Sequence, residues 1–337
     1  MEKFQWAQAR TLEEVQEQVT ATTSQLTSGQ KTTDTSIIKA GGVDLLDLMK
    51  EGLATPEKMI DIKAIPGFKT STYDAKKGLK IGAGVTLSML QKQKEVKEHY
   101  VALYEAISHA ATPQIRNMAT IGGNMAQRTR CWYFRSEDHQ CKKKGGAVCF
   151  AQTGQNDIHA IYNTSICPCV HSSSIATALM AFHAEVEYLD QKGKVQTVLL
   201  TDFFTPPEVD VTRENILKPK EIITAITIPV PSSDTKSYYI KQGARESYDW
   251  ALADVAVALE IKGNTCKKAA IVLGAAAPIP FRATEAEGFL LNKTIDEDMA
   301  IKAAEMVLQK ATPLSGNSYK IPMFKAIIKN CILKTIS

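Results

Sequence analysis

Five of the chain's seven cysteines fall between Cys131 and Cys169, directly after the stretch Ala119-Thr120-Ile121-Gly122-Gly123-Asn124. Thiols at that density point to a metal or iron–sulfur site. Paired glycines point to backbone wrapped around a ligand's phosphates. Both in one segment suggest electron transfer between a bound cofactor and a metal cluster. Nine residues separate Cys131 from Cys141, seven separate Cys141 from Cys149, and seventeen separate Cys149 from Cys167. Zinc ribbons favour cysteine pairs roughly two to four residues apart, and here only Cys167-Pro168-Cys169 is close. Four dispersed thiolates suit the separated corners of a cubane. On spacing alone an iron–sulfur cluster, a zinc site and no metal all stay open. Cys169 either takes the place of Cys167 as a ligand or stands beside it as a free thiol. Lys142-Lys143-Lys144 lies close to three of the cysteines, where positive charge would offset anionic thiolates, although the simplest reading of the run is a solvated loop. Cys266 and Cys331 stand apart and read as ordinary thiols.

A second double glycine, Gly41-Gly42, precedes a helical pattern, so both loops meet the needs of a phosphate cradle. Thr120 and Asn124 flank Gly122-Gly123 and could add side-chain hydrogen bonds. Neither loop is a nucleotide signature by itself. No Gly-Lys-Ser/Thr ending is present, and Gly82-Ala83-Gly84 lacks the third glycine of the dinucleotide fingerprint.

The elements that must position these residues follow from periodicity. Ser36 to Gly42 reads as a buried strand running into a glycine turn, Asp44 to Lys50 as a helix stopped by Gly52, and Met59 to Ile62 as the next strand. Leu79 to Gly84 is a strand, Thr86 a helix N-cap, and Glu98 to Ala110 a helix. The cysteine-rich stretch to Cys169 has no clear period, and such an insert needs something other than apolar packing to hold it. Ser174 to Ala184 is helical, followed by strands at 185–189, 195–200 and 221–229. Pro231-Ser232-Ser233-Asp234 has linker composition. Beyond it come three strands (237–245, 253–261, 268–273), with Gly263-Asn264 as a hairpin turn, then helices at 284–291, 296–309 and 322–334.

The 337 residues exceed one ordinary core, and 44% apolar with 23% charged residues is the composition of a soluble globular protein. A formal charge of +4, with no aromatics among the lysines of 142–144, gives nucleic-acid binding no support. No apolar stretch reaches the ~18 residues of a membrane helix, and Met1 to Trp6 has no signal-peptide core. The chain is expected to be cytoplasmic, or periplasmic by co-export with a partner.

Taken together, the two loops, the insert and the last third resemble the FAD-binding medium subunit of the molybdenum hydroxylases, the family of xanthine dehydrogenase, aldehyde oxidoreductase and carbon monoxide dehydrogenase. Ile38-Lys39-Ala40-Gly41-Gly42-Val43-Asp44-Leu45-Leu46 is similar to the family's first pyrophosphate loop, with Val43 departing from the usual hydroxyl residue. Thr112 to Asn124 is similar to the second loop, which implies flavin contacts from Thr112, Thr120, Gly122, Gly123 and Asn124. Tyr239-Ile240-Lys241-Gln242 resembles the strand whose lysine reaches the flavin ring. Gln127-Arg128-Thr129-Arg130-Cys131, with Tyr133-Phe134-Arg135, resembles the run found in periplasmic aldehyde-oxidising members that hold a [4Fe–4S] cluster. That resemblance implies Cys131, Cys141, Cys149 and Cys167 as its ligands.

The resemblance implies an α+β fold: a two-lobed FAD-binding domain of the vanillyl-alcohol-oxidase type (lobes 1–58 and 59–229, iron–sulfur insert about 125–172) and a C-terminal antiparallel sheet with helices over 230–337. It implies a small [2Fe–2S] subunit and a large molybdopterin subunit as partners. Electrons would pass from molybdenum through iron–sulfur centres to FAD and an external acceptor. No acid–base residue is expected, and His109 and His171 read as structural. Two competing classes are a stand-alone flavin oxidase with structural zinc, which would need a substrate cap, and a scaffold that kept the fold and lost FAD.

Overall fold

The computed structural model describes residues 1–29, 33–246 and 248–337. Three sheets divide the chain. The first unit holds β1 (Gln5–Gln8), α1 (Leu12–Gln18), α2 (Thr23–Thr27), β2 (Ser36–Lys39), α3 (Val43–Lys50) and β3 (Lys58–Asp61). Its sheet has the order β1-β3-β2 and is parallel throughout. A parallel strand pair needs a crossover, and α3 supplies it between β2 and β3. Because β3 pairs with both neighbours as far as Asp61, the first sheet runs past the expected limit at 58/59.

The second unit carries β4 (Ser71–Asp74), β5 (Gly78–Gly82), α4 (Leu87–Gln91), α5 (Lys94–His99), α6 (Val101–Ser108), α7 (Pro113–Met118), α8 (Ile121–Met125), α9 (Trp132–Arg135), α10 (Ser174–Ala181), β6 (Glu185–Leu189), β7 (Val195–Leu199), α11 (Leu200–Phe203) and β8 (Ile222–Ile228). Its antiparallel sheet has the order β4-β5-β8-β6-β7. The helix expected over 98–110 is two helices, broken at Tyr100, whose φ of −127° and ψ of 55° leave the helical region. Thr86 caps α4 as expected, accepting from Met89 N at 3.2 Å.

The third unit contains β9 (Thr235–Gly243), β10 (Ala251–Lys262), β11 (Thr265–Gly274), β12 (Phe281–Arg282), α12 (Thr284–Leu290), α13 (Glu297–Leu308) and α14 (Lys320–Ile336). Its antiparallel sheet, β12-β11-β10-β9, turns between β10 and β11 at Gly263-Asn264. One face packs on α12 to α14 around Val255, Val257, Ile271, Phe324 and Ile328. Among the described residues no helix is long and apolar enough to cross a membrane.

The insert is irregular, as expected, yet apolar packing does help hold it. Phe134 is buried with Leu45, Leu48 and Met49 of α3, a burial contributing ~1.5–3 kcal/mol. At the far end Ile161 and Tyr162 enter the core of the third unit. Tyr162 stacks on Phe281 at 4.1 Å and donates its hydroxyl to Val307 O at 2.6 Å. The insert therefore straps the first unit to the third.

Candidate functional site

A cleft of about 360 Å³ opens between the first two units and the β9–β10 edge of the third. Ile38, Lys39, Ala40, Gly41, Gly42, Val43, Asp44 and Leu45 line it from one side, and Thr112, Thr120, Gly122, Gly123, Asn124 and Lys241 from others. Of the residues singled out in the sequence for the cofactor, only Leu46 does not line it. Leu46 instead packs against the small core under α3, close to Gly42.

The two glycine loops meet at Gly41. A Cβ there would stand 2.0 Å from Met118 O, so only glycine lets the loops touch. Gly42 is the N-cap of α3 in the left-handed region at φ 78°, and no side chain caps it. The first-turn N–H groups of α3 are thus left without a capping partner, at the positive end of the helix dipole. The second loop is different. Ile121 N and Gly122 N donate to Val85 O and Ala83 O, and Thr120 Oγ1 accepts from Gly123 N at 3.2 Å. Asn124 Oδ1 accepts from Ser173 Oγ. The expected ligand contacts of Thr120 and Asn124 therefore reduce to the Thr120 O–H proton and the Asn124 amide N–H groups.

Asp44 is also committed to the protein. Its carboxylate accepts from Arg128 N at 2.8 Å and pairs with Arg130 at 2.8 Å and Arg135 at 2.7 Å. Asp47, one turn on, pairs with the same arginines at 3.1 and 3.0 Å. Arg130 lines the cleft and stacks over Trp250 at 4.8 Å. This clamp was not singled out from the sequence. Its signal was there: acids at 44 and 47 share a helix face, and arginines at 128, 130 and 135 surround Cys131.

The five clustered thiols come together. Cys131, Cys141, Cys149, Cys167 and Cys169 line a second, small cavity with Tyr133, Phe134 and Phe150. Burial pushes the Cys131 thiol up to about 12. Contact with Cys149, then burial, pushes Cys167 up to about 12 as well. Holding such buried sulfurs as thiolates requires strong positive charge in or beside the cavity. Among the described residues no three His, Cys, Asp or Glu side chains are arranged around a single ion. All seven cysteines are free thiols, and Cys266 and Cys331 are buried away from the cavity.

The 142–144 lysine run is not the solvated loop expected. It forms a 3₁₀ turn in which Lys143 and Lys144 are 2% and 4% exposed. Lys143 Nζ pairs with Glu214 at 3.1 Å, and Glu214 also pairs with the buried Arg128 at 3.0 Å. Lys144 Nζ donates to Ser136 O. The pull of Glu214 explains the reversal: burial works against the charged Lys143 ammonium, and the Glu214 carboxylate is the largest influence holding its pKa above the ordinary value. His159, also missed, sits 3.2 Å from Cys131 Sγ through Nε2. His171 is buried and pushed down to about 3 by that burial, so it is neutral, with Nδ1 accepting from Ser173 N at 3.3 Å. The exposed ring of His109 only meets its own helix, at Glu105.

Residues 2–231 match the FAD binding domain in molybdopterin dehydrogenase, and residues 238–334 match the CO dehydrogenase flavoprotein C-terminal domain. The chain belongs to the FAD-binding subunits of the molybdenum hydroxylases. It is 34% identical, over 87% of its length and 89% of the relative's, to the aldehyde oxidoreductase FAD-binding subunit PaoB of Escherichia coli K12. It is 27% identical to the carbon monoxide dehydrogenase medium chain of Hydrogenophaga pseudoflava, over 90% of each. The solved carbon monoxide dehydrogenase of that organism superposes with a TM-score of 0.75 over 99% of this chain and 98% of the other, at 24% identity, which speaks to the fold.

As a subunit of this family the chain binds FAD, and the cleft suits it. The uncapped amides of α3 fit a pyrophosphate, and apolar walls at Ile38, Ile62, Ile115, Ile175 and Ile223 fit flat rings. Lys241 lies where β9 borders the cleft, with Nζ donating to His109 O at 2.9 Å and to Asp249 O. Tyr248 and Trp250, on the β9–β10 connection, line the same side.

Proposed function

We propose that this chain is the flavin- and cluster-bearing electron-transfer subunit of a molybdenum hydroxylase complex that oxidises aldehydes or N-heterocyclic or aromatic substrates. FAD lies in the cleft between the first lobe, carried to Asp61 by its sheet, and the second lobe, which reaches 229, and a [4Fe–4S] cluster lies on Cys131, Cys141, Cys149 and Cys167. The observation that carries this reading is the convergence of five thiols on one cavity, joined to the cleft through Arg130 and Asp44. When bound, the flavin exchanges electron pairs and the cluster single electrons, so the redox chemistry belongs to the cofactors.

The chain's own residues supply position and charge. The amides at the start of α3 hold the pyrophosphate, helped by Thr120 and Asn124. Lys241 sets a positive charge beside the flavin ring. Lys143 and Lys144 bring positive charge to the thiolates, and Cys169 stands next to the cluster without binding it. Partners are a small [2Fe–2S] subunit and a large molybdopterin subunit that holds the organic substrate, and electrons leave the flavin for an external acceptor. The compartment, cytoplasm or periplasm by co-export, follows the partners.

The test is the complex co-produced with its partners and handled without oxygen, assayed for flavin, iron and EPR signals of the reduced protein. Serine at Cys131, Cys141, Cys149 or Cys167 should remove the cubane signal, and Cys169→Ser should keep it. Zinc in place of iron, or a cubane signal that survives all four substitutions, would overturn the cluster assignment.

A further inference from the structure

Behind the Lys241 side of the cleft lies a buried carboxylate that the proposed function leaves unused. Asp254 of β10 is 2% exposed. The β9–β10 register sets Asp254 opposite Lys241, so both side chains leave the same face of the sheet. Ser174, which lines the cleft at the start of α10, donates its hydroxyl to Asp254 Oδ2 at 3.3 Å. Asp254 Oδ1 lies near the hydroxyls of Thr177 and the buried Tyr239, and neither forms a well-aligned hydrogen bond with it. Across the sheet Gly274 opposes Asp254, and a Cβ there would fall 1.9 Å from Oδ1. The third unit thus keeps a bare position for a carboxylate whose isolation is costly. Leaving a buried polar group unpaired costs ~1–3 kcal/mol, more for a charge. Asp254 caps no helix; Ser174 and Thr177 offset part of the cost of burying its charge, and the rest falls to the cations that face it.

Its cationic neighbours are Lys241 and Lys320. Lys320 of α14 is fully buried and already donates to His159 O at 2.9 Å and Ala275 O at 2.6 Å. The ammonium of Lys241 is held by two neutral carbonyls, His109 O and Asp249 O, and faces the cleft. Burial lowers its pKa, and Asp254 is the strongest influence in the other direction, ahead of Asp249.

We propose that Asp254 is the positioning residue for Lys241, its charge on the opposed strand biasing the ammonium from beneath the cleft without an ion-pair contact and thereby setting the redox potential of the flavin. This rests on the proposed contact between Lys241 and the flavin ring. Acting through Lys241, removal of the Asp254 charge lowers the flavin potential, because the cation is held less firmly. Acting directly on the flavin, the same removal would raise the potential, because a negative charge would be lost. Burial pushes the Asp254 carboxyl up to about 6, against the pull of Thr177, Ser174, Lys241 and Lys320. The groups facing it are Lys241 and Tyr239 from β9, Ser174 and Thr177 from α10 and Lys320 from α14. The effect is therefore present above about pH 6 and fades below it.

The experiment is spectroelectrochemical titration of the bound flavin in the complex from pH 5 to 8, for wild type, Asp254→Asn, Lys241→Met and the double variant. The amide introduced by Asp254→Asn would keep the shape and the Ser174 contact. Lys241→Met should lower the potential. Asp254→Asn should lower it by a smaller amount at pH 8 and match wild type at pH 5, and the double variant should equal Lys241→Met at both. A rise in Asp254→Asn, no change in it, or an additive double variant overturns the inference. Lys241→Met without effect overturns the lysine–flavin contact itself. If Asp254→Asn fails to fold, Ser174→Ala should lower the potential in the same direction, and an unchanged or raised potential there overturns the inference as well.

Discussion

Replacing Glu214 with Gln tests the electrostatic reading of the insert. The carboxylate lies between two buried cations, Arg128 at 3.0 Å and Lys143 at 3.1 Å, and all three side chains are nearly inaccessible. Glutamine fills the same space but leaves two positive charges in a desolvated pocket. Removing one partner of a buried pair costs about 3–5 kcal/mol, and here the single acid serves two bases, which places the expected loss toward the upper end. At roughly 2–4 °C per kcal/mol the melting temperature should fall by about 6–20 °C. Differential scanning calorimetry of the flavin-loaded chain, with iron content measured in parallel, reads the effect. The paired variant Glu214→Gln/Lys143→Met removes one stranded cation and should recover a large part of the loss. A Glu214→Gln protein melting within about 2 °C of wild type would refute the argument, because the lysine and arginine would then not depend on that acid.

Gly41→Ala should yield chain with little bound flavin, since a Cβ 2.0 Å from Met118 O must push the two loops apart; flavin absorbance per protein measures it. Asp44→Asn should weaken flavin retention more than Asp47→Asn. Asp44 holds two arginines and a backbone N–H while Asp47 is nearly half exposed, and exposed pairs contribute only ~0.2–1 kcal/mol; fluorescence titration with FAD ranks the two. Asp254 also gives a pH signature. Its folded pKa, up to about 6, exceeds the ordinary value of 3.8, so the folded chain holds a proton that the unfolded chain has lost between those limits. The stability it contributes is full below the lower limit and falls as pH rises, by ~1.4 kcal/mol per unit. Urea melts should show that slope diminished in Asp254→Asn across pH 4 to 6.

Much of the fold was legible because its signals are local. The apolar run in 253–261, the Gly263-Asn264 turn and the double glycine ahead of α3 each declare themselves within a few residues. Short elements without a period, such as β1 and β4, were missed because tertiary pairing rather than propensity forms them, while α7 was missed although its Thr112 cap and Pro113 are local signals. The break at Tyr100 was hidden because the apolar pattern continues across it. At the site, the sequence brought out the cysteines that share a cavity and the loops that line the cleft. It did not bring out Glu214, whose place beside Lys143 depends on a return of the chain some seventy residues later. The same distance explains why a run of three lysines read as solvent-facing: what neutralises it is remote in sequence. Thr120 looked like a ligand contact because its role as a helix cap appears only once α8 is drawn.

Arg130 belongs to two places at once, one residue from the thiol cavity and stacked at the mouth of the cleft. During biogenesis, then, the cleft and the thiol cavity cannot mature as strangers. Residues 128–135 dock on α3 through Asp44 and Asp47, so the insert bears directly on the helix whose first turn faces the cleft. Retained yellow colour in a freshly made chain would accordingly report on how far its insert has ripened.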